Sequence, residues 1–514
     1  MTRPPDGIRP STIVILFLWV TAALSLPILT HPLPPLTDYI NNLARAHIIA
    51  TIGSDADLQR FYVIEWRIIP NLMMDMVVPM LNRFMSIYAA GQAFTVATFI
   101  LILSGTLALN RALFGRWSVV PIAASLVVYN EVFLVGVMNY VFGVGLSLWA
   151  LTIWIVLRER AWPWRFIVST LFVVALFFCH LFTVGLYGLG LLAFETHRLW
   201  AARREALAPR LFDFVVSGAP FLAAVGLLLA SPTMGLAGEV NWEFWGKFQG
   251  LLLAFTVYYY SVAALLIVAI ALAIAWLMRR RLIRLHPFGC ALLIVGGIVY
   301  LAMPRVLFAT HLADQRLPVA LALMLIAATD IDLRQRHVRR VLVTLFAALL
   351  AIRLGEVQTA WNALAPQTVE FLRSARSVER GSRILVAHGD RTAYEETGIV
   401  SDFGLLHAAS LATIERSALV STNFVVPGKH VLQAREPFRR LVNLEDRVAP
   451  SIEWLTRAAG AGANAQLYWN AWPQHFDYLY VLFTLPGSAN PDATHLALVV
   501  DAPGFQLYRV VRSR

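Results

Sequence analysis

A carboxylate, an amide and a guanidinium recur at helical spacing in Asp38-Tyr39-Ile40-Asn41-Asn42-Leu43-Ala44-Arg45. With residues 37–47 helical, Asp38, Asn42 and Arg45 fall at i, i+4 and i+7 on one face, and Tyr39, Leu43 and Ala46 take the other. A carboxylate so placed can take a proton from a hydroxyl. A guanidinium two turns on can grip phosphate oxygens with its planar fork. The string therefore offers a base and an anion partner, although Asp at a helix start also suits an N-cap.

Further ionisable residues fall at the ends of apolar runs: Glu131, His180, Arg305, His311, Asp314 and Arg316. Glu131 also suits a water-facing turn, His180 a satisfied core histidine, and residues 311–316 a solvated loop. Asp314-Gln315-Arg316-Leu317-Pro318 abuts the next run so closely that a buried ion pair or a phosphate site is an equal reading. Ionisable groups near membrane depth are costly unless they pair or work. The expected set is Asp38 as the catalytic residue, with Asn42, Arg45, Glu131, His180, Arg305, His311, Asp314 and Arg316 binding substrate on one outward face.

The elements that must hold these groups are apolar. With 58% hydrophobic and 14% charged residues, 514 residues make far more apolar surface than a soluble core can hide, so the chain reads as a polytopic α-helical membrane protein. The net charge of +11 comes from Arg clusters between apolar runs, at 111–116, 158–165, 198–210, 279–284 and 334–340. They alternate as the positive-inside rule requires, so the basic charge reports topology and not nucleic-acid binding. All basic residues but Lys247 and Lys429 are Arg, which points to a GC-rich bacterial source.

Apolar runs near 12–30, 92–110, 118–134, 138–157, 165–179, 181–197, 212–230, 251–278, 288–304, 317–331 and 341–357 give about eleven crossings. The first run lacks a small-residue cleavage site and is expected to be retained. An odd count puts the N-terminus in the cytoplasm and the tail outside; were 165–197 one helix, the parity would change. The expected domains are a transmembrane part, residues 1–360, with a long first outer loop at 31–91, and a small α/β extracytoplasmic domain, residues 361–514. In that tail, 384–387, 418–426, 478–485, 496–500 and 505–511 read as strands, and 402–417 and 451–460 as helices. Trp242, Trp245 and Tyr258 to Tyr260 suit an interfacial belt. Cys179 and Cys290 both lie in apolar runs, which leaves neither a disulfide framework nor a Cys-based metal site.

A retained first span, an Asp immediately after it in a long outer loop, about eleven crossings and a terminal outer domain together resemble the GT-C class of polyprenyl-phosphate-sugar-dependent glycosyltransferases. Pro34-Pro35-Leu36-Thr37-Asp38-Tyr39 through Arg45 is similar to the Asp-bearing first-loop motif of bacterial members. The resemblance implies that Asp38 is the base. The chain lacks an Asp-x-Asp or Glu-x-Asp pair near Glu131, so a divalent metal has no clear motif and no cofactor is assigned.

The chemistry expected is sugar transfer from a polyprenyl-phosphate donor to a lipid or glycan acceptor at the periplasmic face of a bacterial inner membrane. Arg45, Arg305 or Arg316 would neutralise the departing lipid phosphate, with His180 and His311 as hydrogen-bond donors. An O-antigen ligase or polymerase is the alternative enzyme reading, and a transporter or lipid flippase the alternative class. A transporter is expected to show repeated halves and polar groups at mid-membrane depth, whereas here the polar groups sit at span ends.

Overall fold

The computed structural model describes residues 9–201, 203, 207–236, 240–307, 310, 312–395, 404–445, 448–458 and 467–512. The helices used below, in chain order, are α1 (Pro10–Thr30), α2 (Tyr39–Thr51), α3 (Met73–Leu81), α4 (Ile87–Phe114), α5 (Met138–Val156), α6 (Trp162–Cys179), α7 (Leu181–Ala201), α8 (Leu207–Gly218), α9 (Phe221–Leu229), α10 (Phe244–Leu253), α11 (Tyr260–Arg279), α12 (Pro287–Ala302), α13 (Ala313–Ala327), α14 (Arg336–Ser377) and α15 (Leu411–Arg416). The strands are β1 (Tyr62–Ile64), β2 (Ile283–Leu285), β3 (Thr329–Ile331), β4 (Arg383–His388), β5 (Leu419–Val420), β6 (Leu432–Ala434), β7 (Tyr478–Leu482), β8 (Leu496–Ala502) and β9 (Phe505–Val510).

The chain forms two compact units. One comprises Met1–Thr30, Ile68–Met73 and Thr95–Gln358; the other comprises His31–Arg67, Met74–Phe94 and Thr359–Arg514.

The first unit is helical. Among the described residues seven helices are long and apolar enough to cross a membrane: α1, α4, Met138–Glu159, α6, Leu211–Leu229, α11 and α14. Of the other expected spans, 181–197 is the uninterrupted α7, which carries Glu195 and Arg198, 288–304 and 317–331 form the shorter α12 and α13, and two runs are broken for a local reason. Residues 118–134 divide where Asn130 takes an extended backbone and its side chain accepts from the Phe133 N–H at 3.0 Å. The run 251–278 divides at 254–259, because Glu356 of α14 accepts the N–H groups of Tyr258 at 3.1 Å and Tyr259 at 2.9 Å. Arg353, fully buried beside it, holds Glu356 at 2.6 Å and donates to the Phe255 carbonyl. The run 165–197 is two helices, α6 and α7, split at His180, whose backbone is extended at φ −171° and ψ 140°. Helices α4 and α5 meet through small residues: a Cβ on Gly145 would lie 2.9 Å from the Ile102 nitrogen, the close approach that membrane helices use.

The second unit is built on a five-stranded mixed sheet in the order β5-β4-β7-β9-β8. Strand β4 runs parallel to β5 and β7, and β9 is antiparallel to β7 and β8. The strands expected in the tail are present, with 418–426 reduced to Leu419–Val420. Alternation along the strands gives the sheet two apolar faces. Leu385, Leu479 and Val481 enter one core, while Tyr480 stacks with Phe371 of α14 at 4.8 Å.

The first outer loop supplies part of that core. Ile48, Leu58, Phe61 and Tyr62 pack in the same cluster as Leu385, Leu419 and Tyr508. Strand β1 pairs antiparallel with β6, Tyr62 opposite Ala434. Asp55 caps the short helix Ala56–Phe61, accepting from the N–H groups of Asp57 and Leu58, and its other oxygen takes 2.6 Å bonds from Arg380 and Ser417.

Candidate active site

Prolines 32, 34 and 35 fix backbone angles and remove donors, so the chain leaves α1 in a bend and restarts as a helix only at α2. Asp38 occupies the N-cap position of α2, yet its side chain makes no capping hydrogen bond. Its Oδ1 lies 3.7 Å from Nε2 of His407, with the two side chains 28% and 15% exposed. The carboxylate is thus partly exposed and lies beside a residue of the tail.

Asn41, fully buried, fixes that arrangement. Its Oδ1 accepts from the Phe424 N–H at 2.9 Å, and its Nδ2 donates to the Thr422 carbonyl at 2.8 Å and lies 3.2 Å from Nδ1 of His407. Asn42, one turn after Asp38, is buried on α2.

Arg45, 1% exposed, donates through Nε to Oδ1 of Asp75 at 2.8 Å, and its guanidinium lies 5.8 Å from the centre of the Phe424 ring. Among the described residues neither terminal nitrogen of Arg45 has a partner, and nor has Oδ2 of Asp75. Burial raises the Asp75 carboxyl above the usual range, and the charge and hydrogen bond of Arg45 oppose that rise. Burial also pushes His430, stacked on Phe424 at 5.2 Å, well below the ordinary imidazole range, and the charges of Arg45 and Lys429 act in the same direction.

A second cluster lies in the helical unit. Arg316 of α13, 8% exposed, places Nη1 3.2 Å from Nε2 of His180, and its guanidinium lies 5.6 Å from the ring centre of Tyr140. The Tyr140 hydroxyl donates to the Arg316 carbonyl at 2.8 Å. Nδ1 of His180 faces the Phe182 N–H at 3.2 Å. Both ring nitrogens of His180 thus face donors, the Phe182 N–H and the Arg316 guanidinium, and a neutral imidazole can accept from only one of them.

Arg305 lies 3.6 Å from Glu243, and turning the Gln315 amide lets its oxygen accept from both Arg305 terminal nitrogens at 2.7 and 3.0 Å. Glu131, Gln315 and Arg316 are the polar groups of a small cleft otherwise lined by Val132, Val135, Val137, Leu253 and Leu312. Asp314, fully buried, pairs with Lys247 of α10 at 2.9 Å.

The structure therefore holds Asp38, Asn42 and Arg45 on α2 and its N-cap, and brings His180, between α6 and α7, to Arg316 of α13. It gives Asp314 to Lys247 as a buried pair. His311 lies outside the described residues. Sequence reasoning did not single out Asn41 or His407, and grouped Asp75 with the outer-loop residues without its pairing to Arg45. Asn41 lies inside the string, but its partners are 366 and 381 residues away, and no periodicity marks them. Among the described residues no three His, Cys, Asp or Glu side chains gather to hold a metal ion.

No protein-family model matches this chain, and no curated protein matches it at significance. Solved structures do match. ArnT from Cupriavidus metallidurans bound to undecaprenyl phosphate aligns with a TM-score of 0.53 at 12% identity, over 98% of this chain and 99% of that one. ArnT in the apo state gives 0.53 at 13% identity, over 98% of each chain. Arabinofuranosyltransferase AftD from Mycobacteria aligns with a TM-score of 0.50 at 13% identity, over 99% of this chain and 40% of that one. The likeness shows that this chain shares the fold of ArnT and AftD, a fold of the kind that the first-loop string and the span pattern led one to expect.

Proposed function

We propose that this protein is an integral-membrane glycosyltransferase that moves a sugar from a polyprenyl-phosphate donor to an acceptor hydroxyl, with Asp38 as the base. The observation that carries the reading is the Asp38 carboxylate, held at a helix start without capping it and 28% exposed. The fold likeness to ArnT, a protein solved with undecaprenyl phosphate, supports a lipid-linked donor.

In the transfer, the acceptor oxygen attacks the anomeric carbon and gives its proton to Asp38. The bond from that carbon to the phosphate oxygen breaks, and its electron pair leaves with polyprenyl phosphate. Charge gathers on the leaving phosphate, and preorganised donors aimed at such charge lower the barrier. Arg45, two turns along from Asp38 in the same unit, is a guanidinium candidate for that task, and His180, Arg305 and Arg316 are the candidates that the helical unit carries. The acceptor is a lipid or a glycan. The Arg clusters at alternate connections support a cytoplasmic N-terminus in a bacterial inner membrane, with residues 361–514 as a periplasmic α/β domain.

The test is transfer from radiolabelled undecaprenyl-phosphate mannose, glucose and arabinose by the purified full-length protein in lipid. Asp38→Asn is expected to lower the rate by about 10²- to 10⁴-fold with the thermal unfolding midpoint unchanged. Transfer by this variant at the wild-type rate would reduce Asp38 to a structural residue.

A further inference from the structure

We infer that His407, in the short 3-10 helix Leu405–Ser410 of the tail, is a positioning residue that presents an N–H to the Asp38 carboxylate and keeps it ionised. The inference rests on the reading of Asp38 as base.

The ring's protonation is set by Asn41. Because Oδ1 of Asn41 accepts the Phe424 N–H, its amide orientation is fixed, and Nδ2 is directed at the Thr422 carbonyl and at Nδ1 of His407. An amide nitrogen only donates. Nδ1 of His407 must therefore accept, and the ring proton resides on Nε2, the atom 3.7 Å from Oδ1 of Asp38. Protonating Nδ1 would set an N–H against the Asn41 amide, so the ring presents its N–H at Nε2. The separation is longer than a formed hydrogen bond, and catalytic hydrogen bonds of this kind tighten on substrate binding. Phe424 holds the ring edge-on at 5.0 Å and is backed by His430 at 5.2 Å.

The elements packed around the pair also carry titratable and charged groups. They are Arg45 and His47 on α2, Asp75 on α3, Glu415 on α15, and Lys429 and His430 in the loop before β6. Arg45 is held by Asp75, and Glu415 by Arg376 and Tyr88.

The experiment measures the pH dependence of kcat/KM for transfer by full-length wild type, His407→Ala, His407→Gln and Asp38→Asn, using the same undecaprenyl-phosphate sugars. Losing a donor to a carboxylate raises the carboxylate's pKa. His407→Ala is thus expected to lower kcat about 10- to 100-fold and to move the acid limb up by about one to two pH units. His407→Gln keeps an N–H at nearly the same reach and is expected to hold both within about threefold of wild type. Should the Ala variant fail to fold, His407→Phe keeps the ring shape without the N–H and is read in the same way. The inference is overturned if Asp38→Asn abolishes transfer while the Ala or Phe variant keeps the wild-type acid limb, or if Ala and Gln lose activity equally with limbs unmoved. Wild-type transfer by Asp38→Asn, or transfer from none of the donors, overturns the base reading and this inference with it.

Discussion

Arg45 and Asp75 show how a residue's environment, more than its type, decides its role. Both are 1% exposed and share a single 2.8 Å bond, with three polar atoms of the pair left over. Removing two charges from water is expensive, and the loss of one partner strands the other. Asp75→Asn or Arg45→Met alone is expected to destabilise the protein by about 3–5 kcal/mol. Arg45→Met combined with Asp75→Leu should recover most of that loss, as read by chemical unfolding of the protein in detergent. Additive losses in the double variant would mean that the two charges do not act as a pair.

Helices here are ended and joined by groups from distant elements. The α10–α11 break exists because Glu356 claims two backbone N–H groups that a continuous helix would have used internally. The α4–α5 contact depends on having no side chain at Gly145, where a Cβ would press on the Ile102 backbone, an atom that cannot swing aside. Gly145→Val is therefore expected to cost about 1–3 kcal/mol through overpacking and to lower the unfolding midpoint in detergent. A variant as stable as wild type would show that α4 and α5 can separate without cost.

Over the whole molecule, the tail's sheet does not own all of its core. Ile48, Leu58, Phe61 and Tyr62 come from the first loop, and β1 completes the pairing of β6. Residues 359–514 produced alone are expected to unfold without a cooperative transition, and a version carrying residues 31–67 on a linker to regain one. Circular dichroism during urea unfolding distinguishes these outcomes. Cooperative unfolding of the tail alone would make the loop an accessory.

The membrane class, the positions of most apolar helices, the tail's strands and the placing of Asp38 at a helix start were all legible in the chain. Each is written in local composition or short-range periodicity, which burial in lipid or in one sheet enforces over a few turns. The β1–β6 pairing, the Asn41 lock on His407, the Arg45–Asp75 and Lys247–Asp314 pairs and the break made by Glu356 were not. Their partners are separated by 30 to 383 residues, and a polar side chain carries no sign of which distant group will satisfy it. Only the tertiary structure decides that, because a buried donor or acceptor must find its partner wherever the packed helices and the sheet happen to bring one.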